Sequence, residues 1–155
     1  MGEVTRSITI HRPPAAVFTF LSNPENDPTW VSASIEHHRT SKGPKGLGST
    51  SREMVRAPWG GRLWVEWRVS GWERDSLISY EATSQRRLGS TELDLMLKEV
   101  PAGTRVVLRC RFAARGPLRL LEPLFLGHLA RTWSRRDLPA LKQQLEESPR
   151  PVASR

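Results

Sequence analysis

Three residues combine a reactive side chain with a position that the sequence pattern turns toward an apolar surface: Arg52, Tyr80 and His128. Arg52 belongs to an alternating strand pattern, and the predicted register places it inward beside Trp67. A guanidinium in that position would clamp a ligand carboxylate or phosphate. The alternative is that Arg52 lies near the sheet edge, extends to solvent and stacks on Trp67. The pattern leaves both readings open.

Tyr80 and His128 are the other two candidates for chemistry. Tyr80 points inward in the predicted register, where its hydroxyl would either donate to a ligand carbonyl or bond a backbone group at the edge of the core. His128 directly precedes Leu129, which belongs to the apolar stripe of a helix. It is either an acid–base group or polar anchor of a pocket, or a helical histidine that faces solvent. Catalytic residues therefore stay unassigned at this level.

The spacing of the remaining ligand-type residues predicts no metal site and no cofactor. His37 and His38 are neighbours on a strand, so their side chains point to opposite faces, with His37 the candidate for the inner one. The chain contains no HxH, CxxC or HExxH spacing, no Ser-His-Asp order and no glycine-rich phosphate loop. The single cysteine, Cys110, lies among alternating apolar positions and is predicted to be a small buried hydrophobe.

These candidates would be positioned by a meander of antiparallel strands that begins near Gly48. Turns at Pro58–Gly61, Glu73–Ser76, 85–88 and 101–103 predict a register for each hairpin. The predicted pairs are Ala57 with Arg62, Met54 with Val65, Arg52 with Trp67, Val69 with Tyr80, Tyr80 with Leu93, Ile78 with Leu95, Leu95 with Leu108, and Leu93 with Cys110. With this register the apolar residues gather on one face and the charged residues on the other. The weak point is Glu53, which falls opposite Glu66 as a like-charge pair.

Helical patterns flank the strands. A strand from Glu3 to Arg12 leads into a short helix beginning at Pro14, and a second strand is predicted from Val31 to Thr40. The longest helical pattern runs from Gly116 to Glu147, and two internal prolines, Pro123 and Pro139, predict a break in its first turn and a later kink. One sheet with a single apolar face and one long amphipathic helix predict an α+β fold, with a cavity beneath the helix.

Length, charge and hydropathy bound the class of protein. The 155 residues suit one domain, predicted to span 1–147, with a disordered tail at 148–155. The lone cysteine, and the lack of a secretory signal or apolar run long enough to span a membrane, predict a cytoplasmic protein. The net charge of +8 favours an anionic partner, but the basic residues are dispersed. Without a basic stripe interleaved with aromatic residues, nucleic acid is not the expected ligand.

The order of these segments resembles a known family. A strand followed by RPPAAVFTFLSNPENDPTW, then GPKGLGS, a run of strands ending in GTRVVLRCRF, and RGPLRLLEPLF leading into RRDLPALKQQLE is similar to the START/SRPBCC superfamily, and within it to the polyketide cyclase/dehydrase and lipid-transport group. The likeness covers about Val4 to Glu147. It implies a helix-grip fold, in which a curved seven-stranded antiparallel sheet wraps around the C-terminal helix and two short helices follow the first strand. No catalytic motif transfers from it.

Two functions follow as expectations. The first is a domain that encloses an apolar small molecule, such as a lipid or polyketide, between the sheet and the C-terminal helix. The alternative is a cyclase, aromatase or dehydratase that acts on a bound poly-ketone chain, whose basic surface would receive an acidic carrier protein. The predicted ligand-binding residues are Arg52, Met54, Val65, Trp67, Tyr80, Leu93, Leu95, Cys110, Phe112, Leu121, Phe125 and His128. Polar residues converging in the cavity would favour the enzyme, and an apolar cavity base would favour the binding domain.

Overall fold

A computed structural model describes residues 2–57 and 59–147 of the chain. The strands are β1 (Gly2–Ile10), β2 (Ser34–Arg39), β3 (Thr50–Arg56), β4 (Arg62–Glu73), β5 (Leu77–Ala82), β6 (Gly89–Val100) and β7 (Gly103–Ala114). Helix α1 (Pro14–Leu21) and a first 3₁₀ helix (Pro24–Thr29) follow β1. A second 3₁₀ helix (Gly116–Leu121), α2 (Glu122–Thr132), a π turn (Trp133–Asp137) and α3 (Leu138–Glu147) complete the chain. The tail predicted at 148–155 lies outside the described residues.

The seven strands form one antiparallel sheet in the order β1-β7-β6-β5-β4-β3-β2. β1 pairs with β7, so the first and last strands of the chain are neighbours, and β1 and β2 form the two edges of the open sheet. The helices pack on its concave face. This arrangement confirms the helix-grip fold. The concave face and the helices bury the core together, including Ile10, Val17, Leu21, Ile78, Val106, Leu108 and Leu141.

The register is confirmed in the hairpins that follow β4. Val69 pairs with Tyr80, Tyr80 with Leu93, and Leu95 with Leu108, as the alternation predicted. The charged residues of these strands therefore meet on the convex face. Arg68 forms an ion pair with Glu81 there.

The predicted register of the β3–β4 hairpin is wrong by one residue. Arg56, and not Ala57, lies opposite Arg62, so the loop contains one residue more than predicted. Ala57 closes this loop by accepting from Gly60 N–H at 3.0 Å and donating to Gly61 O at 3.1 Å. Gly60 and Gly61 adopt φ of 92° and 85°, which glycine reaches at little cost, so the longer loop forms without strain. A shift of one residue exchanges the two faces of β3.

The C-terminal helix is confirmed, with two irregularities near its prolines. Pro123 occupies the first turn of α2, directly after the second 3₁₀ helix. Pro139 has no N–H to offer the carbonyl four residues earlier, and the chain forms a π turn just before it, where Leu138 N–H donates to Trp133 O. Helices α2 and α3, on either side of the π turn, also pack differently. Helix α3 buries Leu138, Leu141 and Leu145, whereas α2 has no fully buried residue.

Candidate functional site

Glu53 turns inward because of the corrected β3 register. Its side chain is buried, and its Oε1 accepts a hydrogen bond of 3.0 Å from Nε1 of Trp67 on the adjacent strand β4. A carboxylate on the concave face of this sheet is unusual, because the face is otherwise apolar and burial without a counter-ion is costly. The side chains next to Glu53 therefore decide what this group can do.

His37 connects Glu53 to a second carboxylate. Its Nδ1 lies 2.8 Å from Oδ2 of Asp27 in the first 3₁₀ helix and 3.5 Å from Oε2 of Glu53. Its Nε2 lies 2.8 Å from Oγ of Ser51, the residue that faces inward one pair along β3. The imidazole is only 5% exposed. The first 3₁₀ helix, β2 and β3 thus bring two carboxylates to the same nitrogen of one imidazole. We call these three residues the Asp27–His37–Glu53 cluster.

The cluster lines a cavity of about 90 Å³ on the concave face. Its other walls are mainly apolar and aromatic, and they include Trp30, Val31, Trp67, Tyr80, Leu93, Leu95, Leu108 and Trp133. Asp94 and Arg109 also border the cavity, as an ion pair whose strand positions alternate with those of the inward leucines. Trp67 and Tyr80 contact each other edge to face, with ring centroids 6.4 Å apart. Nε1 of Trp30 is buried and makes no hydrogen bond of good geometry among the described residues, but it lies close enough to Asp27 to help lower the pKa of that carboxyl. An indole N–H in this state is available to an acceptor atom of a bound molecule.

Burial dominates the electrostatics of the cluster. Desolvation raises the pKa of Asp27 and of Glu53 above their ordinary values, although His37 opposes the change in both. Burial alone would lower the pKa of His37, but the hydrogen bond to Asp27 and the charges of Glu53 and Asp27 outweigh it and raise that pKa. Desolvation, with the charges of Asp27 and Glu53, also raises the pKa of Tyr80. The cluster therefore retains protons more strongly than the same groups in water.

Asp27, His37 and Glu53 are the one group among residues 2–57 and 59–147 whose ligand-type atoms could surround a metal ion, since these atoms lie within 4.8 Å of one another. The sequence motifs gave no sign of this grouping. The contact of 2.8 Å between Nδ1 and Oδ2 has the length of a charge-assisted hydrogen bond. As arranged here, the atoms are placed to share protons.

The profile of the family described as polyketide cyclase / dehydrase and lipid transport matches residues 1–146. The chain belongs to this family. No curated protein sequence matches the chain significantly. None of the described helices is long and apolar enough to cross a membrane.

Solved structures of low sequence identity share the family fold. The di-domain aromatase/cyclase StfQ of the steffimycin biosynthetic pathway superposes with a TM-score of 0.76 at 12% identity, over 94% of this chain and 50% of StfQ. TTHA0849 from Thermus thermophilus gives 0.70 at 20% identity, over 94% of this chain and 95% of that one. Protein MLL2253 from Mesorhizobium loti gives 0.69 at 18% identity, over 96% and 99%. The family thus makes the chain a ligand-binding helix-grip domain or a cyclase.

Arg52 and Met54 are not inward residues of this family member, and the prediction that they are is wrong. The β3 register turns both to the convex face, where the Arg52 guanidinium lies 4.0 Å from the ring centroid of Trp64. The physical reason is that Ala57 belongs to the loop and not to the hairpin pairs. The pairing of β3 is therefore shifted by one residue, so the side chains predicted to face inward face outward. Stacking on a tryptophan was the predicted alternative for Arg52, although the partner is Trp64 and not Trp67.

His128 and Leu121 also lie outside the cavity. His128 is exposed on α2, and Leu121 is 54% exposed at the end of the second 3₁₀ helix. The helix begins its regular turns only at Glu122, which leaves Leu126, Leu129 and Ala130 as the residues of α2 that pack on the core. Phe125 contacts Phe112, with ring centroids 4.8 Å apart.

The remaining predicted site residues divide between cavity and core. Trp67, Tyr80, Leu93 and Leu95 line the cavity. Val65 is partly buried, and Phe112 packs against the core cluster. Cys110 is fully buried, and burial together with the charge of Asp94 raises the pKa of its thiol to about 12, as suits a small hydrophobe. Whether the cavity residues bind a ligand stays a prediction.

Sequence reasoning missed Asp27, Glu53 and Trp30. One signal for Glu53 was present, because the predicted register placed it opposite Glu66 on the convex face. In the structure Glu53 pairs with Val65, so this repulsion disappears. Asp27 gave no comparable signal, since an acidic residue in a turn is ordinarily solvated.

Proposed function

We propose that this protein is an acid–base enzyme of the cyclase or dehydratase type, which acts on a small, largely apolar carbonyl compound bound in the cavity. The observation that supports this most is the Asp27–His37–Glu53 cluster, in which titratable groups converge on a cavity with mainly apolar walls. The raised pKa values of these carboxyl and imidazole groups, set by burial and by their mutual contacts, are typical of groups that transfer protons in an active site. A cavity meant only to hold an apolar molecule has no need of two desolvated carboxylates.

The proposed reaction begins with Glu53 as the base. Its carboxylate removes a proton from the carbon next to the substrate carbonyl, and the electron pair of that C–H bond moves to form an enolate. The negative charge that develops on oxygen is stabilised by hydrogen bonds from Trp30 Nε1–H and the Tyr80 hydroxyl, both of which line the same cavity.

For a substrate with a hydroxyl on the β-carbon, His37 completes the reaction as the acid. The enolate electrons form a carbon–carbon double bond, the C–O bond breaks, and the leaving oxygen takes the Nδ1 proton of the imidazolium and departs as water. Glu53 then returns its proton to His37, whose Nδ1 lies 3.5 Å from Glu53 Oε2. Asp27 holds the imidazole in position through the contact of 2.8 Å and favours its protonated form.

The size of the cavity limits the substrate. A volume of about 90 Å³ admits a compound of only a few heavy atoms. A longer poly-ketone chain exceeds this volume, so it fits only if a wall of the cavity moves outward. Small cyclic or branched ketones are therefore the first compounds to test.

Binding without turnover is the second candidate function, and the apolar walls of the cavity favour it. One experiment separates the two. Cyclopentanone is incubated with the protein in D₂O, binding is followed by saturation-transfer NMR, and deuterium uptake at the α-carbons is followed from the decay of the proton signal. We expect exchange above the buffer rate, reduced about 100-fold or more in Glu53→Gln and in His37→Asn. Arg52→Ala, on the opposite face of the same strand, is the matched control and should exchange normally.

Each outcome assigns a function. Binding with no exchange above the buffer rate would reject the enzyme and leave a ligand-binding domain. Exchange that survives in both Glu53→Gln and His37→Asn would show that the cluster does not carry the chemistry. Addition and chelation of Zn²⁺ during the assay test the metal question directly, because a proton-sharing cluster should be inhibited by the ion and should not require it.

A further inference from the structure

The large hydrophobic residues that stay exposed are concentrated in one short segment. Among the described residues, four of the six lie between positions 118 and 124, the others being Leu47 and Trp59. The exposed fractions are 36% for Leu118, 84% for Leu120, 54% for Leu121 and 70% for Leu124. We call these four residues the leucine patch. A contiguous exposed apolar patch on a protein of this size marks an interaction surface.

Exposed arginines lie within the segment of the leucine patch and in the turn next to it. Arg115 and Arg119 are exposed within the same segment, and Arg86 and Arg87 are exposed in the turn between β5 and β6. That turn is adjacent, since Arg115 N–H donates to Leu88 O at 3.1 Å. Between positions 115 and 136 the only acidic residue is Glu122, whose Oε2 accepts a hydrogen bond from Ala114 N–H.

The exposed side of α2 continues this surface. Leu124, His128 and Arg131 follow one another at steps of four and three residues, so they share one face of α2, and Arg135 follows in the π turn. All four are exposed. The face is apolar at its beginning and basic at its end. With five arginines and one acidic residue, positions 115–136 are locally basic, although the basic residues of the whole chain are dispersed.

The chemistry of this surface identifies its partner. A second copy of the chain would bring the same arginines together, and this repulsion opposes self-association through the patch. Leucine side chains that are 84% and 70% exposed stand free of any groove, and acyl chains receive such side chains without a matching pocket. Arginines beside them complement phosphate groups.

We propose that residues 115–124, with the exposed face of α2, dock on the surface of an anionic lipid bilayer. The leucine patch inserts at the level of the upper acyl chains, and the arginines contact lipid phosphates. The docked segment leads through α2 to Trp133, which lines the cavity. An apolar compound dissolved in the bilayer would then meet the protein at the segment that leads to its cavity. This proposal does not depend on the acid–base function.

The test is co-sedimentation with vesicles of phosphatidylcholine alone and of an equal mixture with phosphatidylglycerol. The wild-type protein should bind only the mixed vesicles, and added salt should release it. The variant Leu120→Glu/Leu124→Glu should bind at least about tenfold more weakly. Leu47→Glu is the matched control, because Leu47 is 73% exposed outside the patch, and it should bind as the wild type does.

A second pair of variants tests the arginines. Arg115→Gln/Arg119→Gln should lower the partition coefficient roughly fivefold per residue, whereas Arg74→Gln, exposed in the turn between β4 and β5, should have little effect. No binding to mixed vesicles, or equal losses in the patch variants and their controls, would overturn the proposal. So would a dimer, seen by light scattering, that Leu120→Glu/Leu124→Glu dissociates, since the patch would then bind a second copy. None of these results bears on cyclopentanone exchange.

Discussion

Two groups of charged residues lie on opposite faces of the same sheet, and each contains a buried carboxylate. The two groups differ in the cations that surround this carboxylate. On the convex face Asp94 is 5% exposed, yet it accepts from Arg109 Nε at 2.9 Å and from Ser79 Oγ at 2.6 Å. Arg111 adds a contact of 3.5 Å. On the concave face Glu53 and Asp27 have, within the described part of the chain, only the imidazole of His37 as a cationic partner. The convex group is balanced by two permanent cations, whereas the concave group is not.

The difference appears in the pKa values. Burial alone would raise the pKa of Asp94, but the hydrogen bonds of Ser79 and Arg109 and the charges of Arg109 and Arg111 outweigh it and lower that pKa. For Glu53 desolvation prevails and the pKa rises. Burial of a carboxylate therefore says little by itself, and the identity of its partner decides between a structural and a chemical role. Asp94 is fixed in its charged form, while Glu53 and Asp27 can change theirs.

The largest expected difference between the two groups is in stability. Asp94→Asn removes the counter-charge of two arginines, and we expect it to lower the free energy of unfolding by about 2 kcal/mol. Glu53→Gln removes a charge that burial already disfavours, while the amide oxygen can still accept from Trp67. We expect a change within about 0.5 kcal/mol of zero, or a small gain. Urea unfolding at neutral pH measures both.

The two amide substitutions are matched in size, so a difference between them reflects charge and partner and not lost packing. Equal destabilisation by Asp94→Asn and Glu53→Gln would contradict the distinction between the faces. Arg109→Gln provides a check from the other side of the pair. It should destabilise the wild type but have a much smaller effect in the Asp94→Asn background, because the two residues form one interaction.

The convex group was predictable from sequence, and the concave group was not. Alternation and turn chemistry placed Arg109, Arg111 and Asp94 on one face, since the hairpins after β4 allowed only one register that separates charged from apolar residues. The β3–β4 loop allowed two lengths, because Gly60 and Gly61 tolerate either. The shorter length was predicted, and it turned Arg52 inward in place of Glu53. His37 was expected to face inward, but its partner Asp27 comes from a 3₁₀ helix whose position depends on the curvature of the sheet.

The pH dependence of stability should also separate the two groups. Asp27, His37 and Glu53 have raised pKa values, so the folded protein holds more protons there than the unfolded chain does. Their contribution to stability is therefore present at low pH and is lost as the pH rises, from about pH 4 for the carboxyl groups and above about pH 6.5 for His37. Asp94 has a lowered pKa, so its contribution is present above about pH 4 and is lost on acidification.

Variants show which part of the pH dependence of stability comes from the Asp27–His37–Glu53 cluster and which part comes from Asp94. Urea unfolding at a series of pH values should show a flatter decline toward high pH in Asp27→Asn/Glu53→Gln than in the wild type. Asp94→Asn should keep that decline and lose part of the acid-side dependence. Because Asp137 also has a pKa raised by desolvation, the comparison is made as a difference from the wild-type curve. An unchanged decline in Asp27→Asn/Glu53→Gln would mean that the cluster is not protonated as argued.

The smallest expected effect concerns Arg52, and it tests the β3 register from which the comparison between the faces begins. On the convex face its guanidinium stacks 4.0 Å from the Trp64 ring centroid, an exposed contact worth about 0.5 kcal/mol. Arg52→Ala should therefore reduce stability by that amount and leave cyclopentanone binding and exchange unchanged. In a double-mutant cycle with Trp64→Leu, the coupling energy should be of the same size, about 0.5 kcal/mol. If Arg52→Ala instead abolished ligand binding while stability stayed constant, Arg52 would face the cavity and Glu53 would face solvent. The acid–base cluster would then lose one of its two carboxylates, and the contrast between the faces would fail with it.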